Sequence, residues 1–505
     1  MLAIFFVAVL SCSDEETFSV SKNVLLEFEA DTIRFDTVFT DVPSSTRRFK
    51  IYNRDASHAL RIVSVRLSSG GTSGFRINVD GHSGSYLTDI EIEKKDSLFL
   101  FSEVTLPHRD IDTVRIVRDS ILFDLESGVR QQIILEACGQ DVRVLRQSVI
   151  DRDSMLSGPR PYLIYDSLVV AENATLTILP GTTLCFHQQA TLRVHGRLVA
   201  EGTVEQLVTL RGDRTDKMFS YLPYENLVNQ WGGIDILPES HGNELDYLDL
   251  HGSQYGIRCH ESTDDTQQKL TLSNSVIHNV SHEGLSAVNC RTTLTNCQIS
   301  NAGLNCLSLT GGTHYLLHTT IAQFYPWSAN HGTALQLSDA KADEEVAVAG
   351  EETEPVLLPF NDVQFINCII TGSTNDEISI SRTDADEEQP YNVHFQNCLV
   401  NIRLRDDDPQ WAKDMFTDCV NESDIIQASQ EADEQHQDTD GFVYGRKNFR
   451  LVDYDLFLFD FQLDSVSNAI GLGNAEKGTL LPYDRLGRER EGTPDAGCYQ
   501  YIPIP

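Results

Sequence analysis

A six-residue unit recurs through the second half of this chain: an apolar residue, any residue, Asn, a small residue, any residue, and an aliphatic one. Its copies are Leu272-Ser-Asn-Ser-Val-Ile277, Leu294-Thr-Asn-Cys-Gln-Ile299, Leu316-Leu-His-Thr-Thr-Ile321, Phe365-Ile-Asn-Cys-Ile-Ile370 and Phe395-Gln-Asn-Cys-Leu-Val400. Leu245-Asp-Tyr-Leu-Asp-Leu250 is a degenerate copy. The copies start 27, 22, 22, 49 and 30 residues apart. A unit near 22 residues is one coil of a parallel β-helix, and the longer intervals are loops inserted at a corner. Coils stack about 4.8 Å apart, so equivalent residues fall into columns. Position one stacks Leu on Leu and Phe on Phe. The third column (Asn274, Asn296, Asn367 and Asn397, with His318 substituting) suits a bend, because Asn tolerates the left-handed backbone a bend needs. The fourth column, Ser275, Cys297, Thr319, Cys368 and Cys398, requires a small group pointing inward.

The same grain begins earlier, in very short strands joined by Gly-rich corners: Leu168-Val-Val170, Leu176-Thr-Ile-Leu-Pro-Gly-Thr182, Leu192-Arg-Val-His-Gly196, Leu198-Val-Ala-Glu-Gly-Thr203 and Val208-Thr-Leu210. The run Leu176–Thr182, with Gln230-Trp-Gly-Gly-Ile234 and Leu294-Thr-Asn-Cys297, resembles the right-handed β-helix repeat proteins of the pectate-lyase-like superfamily. The ending is similar to their C-terminal closing segment: Phe461-Gln-Leu463, Ser467-Asn-Ala-Ile470, Asp484-Arg-Leu-Gly-Arg488 and Pro494-Asp-Ala-Gly-Cys-Tyr499. The resemblance implies a right-handed parallel β-helix, placed at residues 155–505 with acidic inserted loops. It implies a fold and no particular activity.

Residues 24–142 have a different grain. Apolar residues alternate in short runs (Ile33/Phe35, Phe49/Ile51, Leu60/Ile62, Phe75/Ile77, Phe99/Phe101, Val114/Ile116, Ile121/Phe123, Ile133/Leu135) with turn residues between them. Period-two alternation of this kind predicts antiparallel strands and a β-sandwich. Phe49-Lys-Ile-Tyr-Asn53, Leu60-Arg-Ile62 and Gly139-Gln-Asp141 resemble immunoglobulin-like modules of bacterial surface proteins, without the paired core cysteines of antibody domains. The expected fold class is therefore all-β, an N-terminal immunoglobulin-like β-sandwich followed by a right-handed parallel β-helix.

The first residues carry an address. Residues 2–10 are a short apolar run of the kind found in a secretory signal. No basic segment precedes it, so the expected start lies upstream of Met1. Val9-Leu-Ser-Cys12 resembles a bacterial lipobox, which implies a signal peptide over 1–11, lipidation of Cys12 including palmitate, and an acidic tether over 12–23. Ser13-Asp-Glu-Glu16 resembles the export tag that carries lipoproteins to the outer face of the outer membrane. Acyl chains partition at about 0.8 kcal/mol per CH₂, and several together make a stable anchor. Beyond the N-terminus no apolar run reaches the roughly 20 residues of a spanning helix. A net charge of −36 argues against a nucleic-acid partner and against attraction to an anionic bilayer. No Cys-x-x-Cys occurs among the ten cysteines after Cys12, and several of them occupy the small-residue column, where a thiol acts as a small hydrophobe.

Function is harder to read. The acidic runs Asp343–Glu345, Glu351–Glu354, Asp384–Glu388, Asp406–Asp408 and Glu431–Glu434 read as solvated loops. They lack EF-hand or β-roll spacing, so calcium has no placed site, and no cofactor is expected. Eight of 15 histidines fall between residues 241 and 331. His251 and His278 each follow the last position of a repeat unit, so they should stack on adjacent coils. With His282 and Glu283 they are weak catalytic candidates, near His260, Glu261, Asp264 and Asp265. A base flanked by acids or a transition-metal site from the histidine pair is conceivable there, but plain surface is the preferred reading. The next coils carry Ser300 and Ala322 at that position, and no lyase or polygalacturonase motif matches. For binding, the aromatic patches Tyr221, Tyr224 and Trp231, and Phe324, Tyr325 and Trp327, are the candidates to stack on sugars or fill partner pockets. The sequence is thus read as a lipid-anchored surface protein acting as a non-catalytic binding or scaffolding module. The expected partners are an outer-membrane β-barrel complex, in which it would be an accessory subunit, or other surface lipoproteins. A carbohydrate-active lyase or hydrolase, or a glycan-binding protein using the β-helix face, is the rival. An enzyme should cluster acids and bases in one groove across adjacent coils.

Overall fold

A computed structural model describes residues 17–341, 355–383, 388–425 and 445–503. The signal segment, Cys12 and most of the acidic inserted runs lie outside the described residues. The chain divides into two compact units, Met1–Val142 and Arg143–Pro505. Their regular structure is almost wholly strand; the described α-helices are the short Gln410–Asp414 and Ala475–Gly478.

The first unit contains two five-stranded sheets. In one, the order is Leu26–Phe28, Arg47–Asn53, Ser97–Val104, Phe75–Val79 and His82–Ser83; in the other it is Thr32–Phe39, Arg130–Gln140, Arg115–Leu125, Leu60–Leu67 and Tyr86–Ile92. The alternation read from the sequence sends Phe35, Ile51, Ile62, Phe75, Ile77, Ile121, Phe123 and Leu135 into one shared core. One pairing departs from the antiparallel expectation: Thr32–Phe39 lies parallel to Arg130–Gln140, with a bulge at Ala137/Cys138. Alternation reports which side chains face inward and is silent on strand direction.

The second unit winds three parallel faces around one core. The first face is a ten-stranded parallel sheet, and the second and third run on from each other as an 18-stranded one. Its ladders begin with Arg143–Ile150 and Ser154–Leu156, upstream of the start at 155 read from the sequence. Along the first face Leu245, Leu272, Leu294, Leu316, Phe365 and Phe395 pair in register, continued by Phe416. On the second face Leu250, Ile277, Ile299, Ile321, Ile370 and Val400 do the same. Phe365, Phe395 and Phe416 stack with ring centroids 4.5 and 4.6 Å apart. Each such buried side chain is worth about 1.5–3 kcal/mol of apolar transfer.

Between the two faces sits the bend. Tyr247, Asn274, Asn296, His318, Asn367, Asn397 and Asp418 all have φ between 47° and 53°. Asp418 and Cys419 belong to a further repeat copy, Phe416-Thr-Asp-Cys-Val-Asn421, which departs from the unit with Asp in the Asn column and Asn in place of the final aliphatic residue. Inside the bend, Ser275, Cys297, Thr319, Cys368 and Cys398 are fully buried. The ten described cysteines are free thiols. Burial pushes Cys297 up to about 12 and Cys185 up to about 11, which keeps both protonated.

The C-terminal segment runs along the outside of the second face. Ala322, Ile369 and Leu399 point away from the main core yet are completely buried, because Phe449, Val452, Phe461, Leu463, Ala469, Ala496 and Tyr499 cover them. Polar contacts fix its position on the bend: Asn474 N–H donates to Asn367 Oδ1 (2.7 Å), and Arg490 Nη2 donates to Asn296 Oδ1 (2.9 Å).

Candidate functional site

Alternation on the second-face strand Leu248–His251 sends Leu248 and Leu250 inward and Asp249 and His251 outward. Register then places His278, on the strand Val276–Val280, directly beside His251. The two imidazoles lie 4.9 Å apart between centroids. Asp249 Oδ1 lies 2.9 Å from His251 Nδ1 and 3.3 Å from His278 Nε2. Burial works to raise the Asp249 carboxyl, but the charge and hydrogen bonding of His251 and His278 outweigh it and hold Asp249 well below the usual carboxylate range. One strand further on, Ser300 lies beside His278 and Ala322 beside Ser300, so the histidine column ends there.

This cluster opens on a cavity of about 380 Å³ where the C-terminal segment crosses the second face. Asp249, Val276, His278, Asn279, Gln298, Ser300 and Asn301 form its floor, and Phe457, Leu458, Phe459, Phe461, Arg485 and Tyr499 form the covering wall. Tyr499 donates its hydroxyl to Gln298 Oε1 at 2.7 Å, and burial pushes its phenol up, keeping it a donor. Arg485 is 8% exposed, and its buried Nε has no hydrogen-bond partner. Its guanidinium makes no side-chain hydrogen bond or ion pair among the described residues. Phe457 holds φ at 56°, a strained position for a bulky side chain, and packs on Trp327. The volume is of the order seen for small-ligand sites. A pocket with a partly buried carboxylate–imidazole pair, an unpartnered guanidinium and aromatic walls suits a small polar ligand that carries negative charge.

The other candidates read from the sequence lie elsewhere. His282 and Glu283 do not line the pocket; the His282 ring packs on Tyr255 at 4.6 Å. His260 faces Asp235, Glu261 pairs with Lys341, and Asp264 holds the turn at Thr266 and Gln267. Trp231 is core and not surface: it is 1% exposed, stacks on Phe186 at 4.2 Å and donates Nε1–H to the His251 carbonyl. Phe324 and Tyr325 are likewise buried, Phe324 beneath Phe449 and Phe461. Trp231, Phe324 and Tyr325 are thus folded back onto the coils. Tyr221 is exposed and stacks on Phe219, while Tyr224 is half-buried under Arg214.

A larger cavity, about 900 Å³, lies in the first unit between Leu67, Phe75, Ile77 and Phe101. Its charged residues Arg76 and Glu103 pair with each other at 2.7 Å, and glycines and serines make up much of the remaining wall. The chemistry lies at the smaller one.

No family model matches the chain, and no curated protein matches it. Among solved structures, a family 123 glycoside hydrolase from Clostridium perfringens aligns at a TM-score of 0.17 and 9% identity, covering 25% of this chain and 26% of that one. A Porphyromonas gingivalis protein of unknown function aligns at 0.18 and 12% identity, covering 25% and 59%. The catalytic domain of a GH87 α-1,3-glucanase, solved with nigerose, aligns at 0.19 and 10% identity, covering 75% and 92%. At these scores the likenesses carry no assignment of activity.

Proposed function

We propose that this chain is a lipid-anchored surface protein, an immunoglobulin-like sandwich followed by a right-handed parallel β-helix. Its helix binds a small carboxylate-bearing carbohydrate in the pocket beneath the C-terminal segment. The observation that carries this reading is Arg485, a buried guanidinium on the pocket wall with no side-chain partner among the described residues. A buried cation is stable only when something neutralises it, and a planar carboxylate fits a guanidinium fork. Phe457 and Phe459 supply apolar surface for a sugar ring, and Gln298 and Tyr499 supply polar groups for hydroxyls. The overall charge of −36 repels a long polyanion, but it is screened beyond about 8 Å in physiological salt, so one carboxylate at Arg485 is governed by its local contact. A right-handed winding accords with the strong chirality of parallel crossovers. The lipobox-like Val9–Cys12 supports the anchor, and the bound glycan or a β-barrel complex would be met at the outer surface.

The test is calorimetric titration with glucuronate- and galacturonate-containing oligosaccharides against neutral ones. Acidic sugars bind, and Arg485→Gln loses 10-fold to 100-fold in affinity, the range for a charge-assisted hydrogen bond. Equal binding of neutral sugars, or no loss in the variant, removes this reading. A second reading, elimination on a uronate with His278 as base, is favoured by the imidazole–carboxylate pair sharing the pocket with Arg485. Its signature is growth of the ultraviolet absorbance of an unsaturated sugar. Hydrolysis is less suited, because Asp249 is the one carboxylate among the described residues lining the pocket and that chemistry uses a pair.

A further inference from the structure

We infer that Asp249, His251 and His278 form a mononuclear site for a divalent first-row transition ion. The one-ligand-atom-per-residue set lies entirely within 4.8 Å. Donors bound at about 2.0–2.1 Å around a tetrahedral ion sit about 3.3 Å from one another. Asp249 Oδ1 to His278 Nε2 is 3.3 Å and Asp249 Oδ1 to His251 Nδ1 is 2.9 Å, so an ion is seated with small adjustments. Two imidazole nitrogens with one carboxylate suit Zn²⁺, Fe²⁺ or Co²⁺ and disfavour Ca²⁺ and Mg²⁺, which take oxygen donors.

The fold holds the three groups in place. Asp249 and His251 share one strand, and the neighbouring strand is registered so that His278 falls beside His251. Trp231 Nε1 fixes the His251 carbonyl at 2.8 Å. The strand before offers no competing free cation at this position: Arg211 is held by Glu225 at 2.5 Å. The strand after offers Ser300, so the protein supplies three donors and leaves the remaining position to water or ligand from the cavity that Asp249 and His278 line. The inference stands apart from the acidic-sugar reading, since it does not use Arg485. A bound ion would occupy the nitrogen that an elimination base needs, so the two are mutually testing.

The experiment strips the full chain with chelator and titrates it with Zn²⁺ by calorimetry, then with Co²⁺ by visible absorption. One tight Zn²⁺ equivalent is expected, undisplaced by excess Ca²⁺, together with the intense bands of four-coordinate Co²⁺. Asp249→Asn and His278→Gln should each lower Zn²⁺ affinity by more than about 100-fold, beyond the roughly 10-fold to 100-fold that loss of a supporting contact produces. Circular dichroism checks that each variant is folded, and the wild-type Co²⁺ spectrum remains decisive if one is not. Absence of a tight equivalent, weak six-coordinate Co²⁺ bands, or unchanged affinity in both variants overturns the site and leaves Asp249 as a simple acceptor for two histidines.

Discussion

Asn296 holds its backbone at φ 53° and is contacted from three sides: its amide donates to Asn274 Oδ1 and to the Tyr483 carbonyl, and its own Oδ1 accepts from Arg490. The left-handed conformation disfavours Ala by about 1–2 kcal/mol, while Gly forfeits about 0.5–1 kcal/mol of chain entropy. Asn296→Gly should therefore be less destabilising than Asn296→Ala by about 1 kcal/mol, measured by urea denaturation, although both lose the same amide contacts. If the two variants match, the column is held by its side-chain ladder and not by the bend. Glu377 supplies a pH-dependent term. It is fully buried; burial pushes its carboxyl up to about 7, against hydrogen bonds donated by Thr374 and by the Ala334 N–H. Between its unfolded value of about 4.5 and 7 the folded protein keeps a proton that the unfolded chain releases. Its contribution is thus full below about pH 4.5 and declines as pH rises through 7, by about 3 kcal/mol in all. Glu377→Gln should lose this slope relative to wild type in denaturation series run from pH 4.5 to 8. A parallel slope in both proteins would mean that the carboxyl ionises in place.

At the scale of elements, the second face is covered on both sides, inside by the main core and outside by the C-terminal segment. That explains consecutive apolar pairs such as Ile369-Ile370, where alternation would call for a polar partner. Removing residues 445–505 should leave the three-faced core folded, since its buried cluster lies within residues 156–415, but expose Ala322, Ile369 and Leu399 as an apolar strip. Such strips drive association. The truncated chain should bind a hydrophobic dye and elute early on size exclusion, and a monomeric, dye-silent product would count against the cover. The same element marks the limit of what was legible. The columns from Leu245 to Phe395 follow from chemistry that repeats every coil, and so does the stacking of His251 on His278. Asp249 was within reach, two residues before His251 and on the same side of the strand. Arg485 and Tyr499 were visible as a terminal motif, but nothing local says that Tyr499 meets Gln298, 201 residues earlier. A segment without repeats docks through contacts whose register no periodicity encodes. Trp231 misled for a related reason: an aromatic in an insertion is buried or exposed according to where the loop returns.

At the scale of the whole molecule, each unit carries its own core. Every residue of the sandwich cluster falls between Leu26 and Ala137, and every residue of the pocket falls after residue 142. A segment of this length buries about two-thirds of its unfolded surface, enough for independent stability. Residues 17–142 expressed alone should therefore melt cooperatively, by differential scanning calorimetry, with native-like near-ultraviolet dichroism. Residues 143–505 alone should retain the pocket chemistry, with acidic-sugar affinity within a few-fold of the full chain. The pairing of Thr32–Phe39 with Arg130–Gln140 makes the first test demanding, because a strand from each end of the unit must meet in parallel across its whole length. Non-local pairings of that kind fold slowly. A molten fragment with strand content but no cooperative transition would show that the sandwich depends on chain beyond residue 142. A cooperative fragment whose companion had lost sugar binding would show instead that the sandwich contributes to recognition.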